Sequence, residues 1–103
     1  MITITMHKNK NQRYTGFTID GHAGYSEAGS DIVCAGISAL SETALLGLIQ
    51  YLQEENVPYE VKDGFLSVRV KAPCDTSQVI LTTLVLGLQQ IVQQYPEYAV
   101  LNS

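Results

Sequence analysis

His22 and Cys34 stand at opposite ends of a glycine-rich segment in DGHAGYSEAGSDIVCAGISALS, residues 20 to 41, and both can take part in nucleophilic chemistry. A thiol attacks only as its thiolate, and a free cysteine with a pKa of about 8.5 is only about 3% ionised at pH 7. An imidazole within hydrogen-bond reach can take the proton and hold the pair as thiolate and imidazolium. A helix N-terminus contributes about 0.3 to 1 kcal/mol, which is less than one pKa unit at about 1.36 kcal/mol per unit. A contact between His22 and Cys34 therefore has to dominate if this thiol is to act as a nucleophile.

The residues between and beside the pair suggest how they are held. Gly21 and Gly24 flank the histidine and free the backbone to turn there. The run GYSEAGS, residues 24 to 30, offers no large aliphatic anchor, so Gly24, Tyr25 and Gly29 read as parts of a mobile flap tethered chiefly by Tyr25. Ser30 or Asp31 suits the N-cap of the helix that follows, which puts Cys34 in its first turn, with backbone N–H groups available to an oxyanion. Asp31 reads first as a plain cap and second as an orienter of His22. Ser38 follows Cys34 on the same helical face; it either touches substrate or tunes the thiol, or else bonds back to the carbonyl four residues earlier. The spacing of His7, His22, Cys34 and Cys74 fits no zinc-ligand pattern. No metal or cofactor is expected, Cys74 reads as structural, and His7 is given no role.

The elements that must position this pair follow from periodicity. Ile2, Ile4 and Met6 alternate with threonines, as do Phe17 and Ile19 around Thr18, which predicts two strands joined by the polar loop KNKNQR. From Asp31 to about residue 55 the apolar positions Val33, Ile37, Leu40, Ala44, Leu48 and Tyr51 recur at helical spacing. PYEVKDGFLSVRV reads as a second hairpin about Asp63-Gly64, a dipeptide suited to a type I′ turn. A second helix follows over residues 77 to 95, capped within Asp75, Thr76 and Ser77 and stopped at Pro96, with a last strand about Val100. The order ββαββαβ predicts an α+β, two-layer domain over residues 1–103: a mainly antiparallel sheet with two helices on one face. Those helices are apolar enough to predict a homodimer.

The totals limit the functions available. Ten acidic against six basic residues give a net charge of −4, which opposes nucleic-acid binding. No apolar stretch is expected to approach the roughly 18 residues of a membrane span, and no positive leader precedes an apolar run, so the expectation is a cytoplasmic protein without a membrane partner. In that compartment a Cys34–Cys74 disulfide does not persist.

The segments GHAGY and GSDIVCAGISAL resemble the ribosomal-processing cysteine protease family, Prp, and the likeness extends over nearly the whole chain, including the DG hairpin. The resemblance implies a cysteine endopeptidase that removes the N-terminal extension of a large-subunit ribosomal protein, cutting after a short hydrophobic, aromatic-containing motif. It also implies His22 and Cys34 as the catalytic pair, a homodimer, and a loop that must move to admit substrate. Two other readings compete with it. A noncatalytic assembly factor could bind the same peptide tail, and an activated thiol could serve as a redox sensor, although no resolving cysteine stands near Cys34 in sequence.

Overall fold

The alternating segments of the sequence form the strands expected of them. The structure, a computed structural model, describes residues 1–22 and 28–103, with residues 28–31 described by their backbone alone. The elements are β1 (Ile2–Lys8), β2 (Tyr14–Asp20), α1 (Ala28–Leu52), a 3-10 turn (Glu54–Asn56), β3 (Tyr59–Lys62), β4 (Phe65–Arg69), α2 (Asp75–Gln94) and β5 (Ala99–Asn102). The five strands form one sheet in the order β3-β4-β2-β1-β5, antiparallel except where β5 pairs in parallel with β1. This is the two-layer α+β arrangement that the element order predicts.

Period-2 alternation in the strands meets helical stripes across one core. Ile2, Ile4, Met6, Phe17 and Val68 pack from the sheet against Val33, Ile37 and Leu48 of α1 and Leu81, Leu84 and Leu88 of α2. Burying each such side chain contributes about 1.5 to 3 kcal/mol. The outer side of the helix layer stays apolar and open. Leu46, Tyr51, Val79 and Leu86 are exposed there, and a groove of about 400 Å³ runs between the helices past Leu40, Gly47 and Ile80. Tyr51, expected in the buried stripe, is 69% exposed.

Two helix expectations need correcting. Segment Ile32–Leu52 of α1 is long and apolar enough to cross a membrane by length and composition. The expectation of no such stretch is thereby overturned: Ser38, Ser41 and Glu42 interrupt the segment without lowering its average hydropathy much. Here its buried stripe belongs to the core shared with the sheet and α2. The N-cap of α2 is Cys74 rather than a residue within Asp75 to Ser77: the Cys74 N–H donates to Ser77 Oγ at 2.9 Å and Ser77 closes the reciprocal capping box.

Candidate active site

His22 lies just past the end of β2, and its place is set by the hairpin two strands away in sequence. Because β2 pairs with β4 as well as β1, the register Asp20↔Phe65 brings the β3–β4 turn beside the residues that follow Asp20. The Gly21 N–H donates to the Gly64 carbonyl at 2.8 Å, and the backbone turns at Gly21 with φ +105. The His22 carbonyl accepts a bond from the Met1 amino group at 2.7 Å. Gly64 has φ +69, the positive value that a DG hairpin turn calls for, and it packs directly against the imidazole. On the other side of that turn residue, Asp63 Oδ2 is 4.0 Å from His22 Nε2, both side chains being largely exposed.

Facing this turn, α1 supplies the second wall. His22 and Cys34 line one cleft of about 250 Å³, together with Ser38 and Glu42 of α1, Val61 and Lys62 of β3, and an apolar floor of Ile19, Ile37, Leu45 and Leu66. Cys34 is half-buried and packs against the core, and both cysteines are free thiols. The cleft thus brings together three of the residues singled out from sequence, His22, Cys34 and Ser38. Among the described residues, the back-bond considered for Ser38 is made instead by Ser41, whose hydroxyl donates to the Ile37 carbonyl at 2.6 Å.

The start of α1 overturns part of the sequence reading. The helix begins at Ala28, so Ser30 and Asp31 are helical residues rather than caps, and Gly29 belongs to the helix rather than to a flap. Cys34 consequently lies in the second turn. The N–H groups without helical partners are those of the first four residues, a turn before the sulfur, so they do not gather about Cys34 as oxyanion donors. Ser and Asp are favoured both at caps and, for Asp, in the first turn, where the helix dipole stabilises an acid; residue type alone did not separate the two. Gly24 and Tyr25 lie outside the described residues, as does the side chain of Asp31.

Sequence alone does not mark Asp63, Gly64, Glu42 and Lys62 as residues of this site. The DG turn was legible as a turn, but its approach to His22 depends on strand pairing. His7 and Cys74, given no catalytic role, do not line the cleft. His7 Nε2 is 2.8 Å from Thr18 Oγ1 on the polar side of the β1–β2 ladder. The Cys74 thiol has its pKa lowered, first by the Ser77 backbone N–H and further by the Ser77 hydroxyl, the Thr76 N–H and the charge of Arg13, against the opposing effect of burial. Arg13 itself pairs with Asp75 at 2.9 Å.

Comparison with known proteins bears on this cleft. The family model described as cysteine protease Prp matches residues 1–100. A Staphylococcus aureus protein named ribosomal processing cysteine protease Prp is 37% identical over 106 residues, covering 99% of this chain and 98% of its own length. Crystal structures of the essential S. aureus ribosomal processing protease Prp superpose over 99% of this chain and 98% of theirs. The complex with a covalently linked product peptide gives a TM-score of 0.81 at 35% identity, and that with a substrate peptide 0.82 at 34%.

Proposed function

The chain belongs to the cysteine protease Prp family of peptide hydrolases, and from that premise we propose that it is an endopeptidase in which Cys34 and His22 form the catalytic dyad. The observation that carries this reading is the shared cleft, which holds one thiol and one imidazole over an apolar floor. His22 accepts the Cys34 proton, the sulfur attacks the scissile carbonyl carbon, and the tetrahedral adduct collapses as His22 returns the proton to the leaving amine. Water, deprotonated by the same imidazole, then attacks the thioester, releases the new carboxyl group and restores the thiol. Ser38, one turn beyond Cys34 and facing the same cleft, supplies a hydroxyl for the oxygen that gains charge in each step.

The substrate we infer is the N-terminal extension of a large-subunit ribosomal protein. Its support is the likeness to relatives named as ribosomal processing proteases, one of them crystallised with a substrate peptide. The net charge of −4 suits a basic polypeptide rather than nucleic acid as the partner. We place the protein in the cytoplasm, a reading that the two unpaired cysteines fit because thiols stay reduced there. A homodimer formed through the open apolar side of α1 and α2 would cover Leu46, Tyr51, Val79 and Leu86.

The test is incubation of the pure protein with an N-terminally extended ribosomal protein, followed by intact mass measurement. Loss of the extension with wild type, and none with Cys34→Ala or His22→Ala, is the expected result. Undiminished cleavage by either variant overturns the dyad. Binding without cleavage by wild type would favour the assembly-factor reading instead.

A further inference from the structure

The sheet order ends at β3, so among the described residues no strand pairs with its outer side. The Arg69 N–H donates to the Pro58 carbonyl at 2.9 Å, and the register continues as Tyr59↔Val68, Glu60↔Ser67, Val61↔Leu66 and Lys62↔Phe65. Bonded and non-bonded pairs alternate along an antiparallel ladder. Pro58, Glu60 and Lys62 are therefore the residues bonded to β4, and the N–H and C=O groups of Tyr59 and Val61 point to the open edge. Directly opposed residues share a face of the sheet. Val61 accordingly extends the row Leu66, Ile19 and Ile4 on the side that the helices cover, yet Ile4 is fully buried whereas Val61 is 64% exposed. Short length, Pro58, Glu60 and Lys62 blunt this edge in part, as natural sheets usually do, but Val61 stands apolar between the two charges. Here a bare apolar residue with free backbone groups lines the same cleft as His22 and Cys34.

We propose that the substrate peptide binds as an added strand on the outer edge of β3, its backbone bonded to Tyr59 and Val61 and its alternate side chains turned into the recess between Val61, Leu66 and Leu45. Strand addition draws affinity from main-chain bonds and selectivity from pockets for every second side chain. The occupant is thus an extended peptide, apolar at the alternate positions that face the cleft, with a free N–H where it meets the edge. Continuity of the edge with the cleft delivers the chain to the sulfur. This proposal rests on the protease reading for the identity of its ligand, but its test does not require turnover.

The test measures binding of a fluorescein-labelled peptide spanning the extension junction to the uncleaving Cys34→Ala protein, by anisotropy, with and without Val61→Pro. Proline removes an N–H that faces solvent and no ladder bond, so the edge strand can accept it. The expected result is about tenfold weaker binding with Val61→Pro than with Val61→Thr, which also alters the side chain but keeps the N–H, and unchanged sedimentation. Single N-methylation along the peptide, tested on the parent protein, should weaken binding at alternate positions only; this arm stands whether or not Val61→Pro folds. Equal affinity for Val61→Pro together with a flat N-methyl scan overturns the proposal. So does a change of oligomeric state with Val61→Pro, which would assign the edge to a second copy of the chain. Failure of wild type to cut the peptide would instead sink the protease reading, with the binding comparison still deciding the edge.

Discussion

His22 Nε2 lies 2.5 Å from the point that a Cβ on Gly64 would occupy, so the imidazole keeps its place only because residue 64 has no side chain. Two further facts tie the pair together: the Gly21 N–H bond to the Gly64 carbonyl and the positive φ of Gly64. Position 64 therefore controls the orientation of a side chain 42 residues earlier in the chain.

Gly64→Ala should leave a folded protein that has lost most of its activity. The strain of alanine at φ +69 costs about 1 kcal/mol and lowers Tm modestly. The half-exposed imidazole must then shift off the added methyl. Displacing a catalytic group by about 1 Å can cost about a hundredfold. Measurement of kcat/KM beside a thermal melt checks this, and near-normal cleavage would show that His22 does not depend on that turn.

Asp63→Asn should change kcat/KM by less than about fivefold, and added salt should shrink the difference further, because ion pairs between exposed groups are weak and screened. Asparagine keeps the turn, since Asn-Gly also favours type I′. A hundredfold loss would instead make Asp63 an orienter of the imidazole.

Glu42→Lys tests the electrostatics of the cleft. With a basic peptide as substrate, KM should rise about threefold at low ionic strength, and the difference should fade with added salt. An acidic peptide should respond in the opposite sense. Equal KM values for all four combinations would remove Glu42 from substrate binding.

The capping thiol predicts a pH-dependent stability. The pKa of Cys74 is lowered on folding, chiefly by the Ser77 N–H, so between the folded and unfolded values the unfolded chain binds more protons. The contribution is present above the unfolded value of about 8.5 and is lost as pH falls through the folded value. Urea denaturation of wild type and Cys74→Ala across neutral to alkaline pH should show a gap that widens and then levels off. A constant gap would contradict a thiolate held at the cap. Alkylation studies of Cys34 are accordingly cleaner in a Cys74→Ser background.

Local patterns made most of the architecture legible. Ile2, Ile4 and Met6 announce a strand because alternation is a property of a few neighbouring residues, and the stripe from Val33 to Leu48 announces a helix for the same reason. His22 and Cys34 were likewise visible as residue types at the ends of one segment, and the cleft that joins them is now seen. Pairing across the sheet was not legible. That β4 lies beside β2, and so carries Asp63 and Gly64 to His22, is a contact between segments far apart in sequence. The start of α1 also escaped, since Ser30 and Asp31 suit the first turn of a helix as well as its cap.

The early start of α1 has a mechanical consequence. Helices unravel from their ends, and the turn built from Ala28 onward is spent before unwinding reaches Cys34. The sulfur is thus insulated from whatever the preceding segment does. Fraying confined to that first turn leaves Cys34 anchored to the core against which it packs.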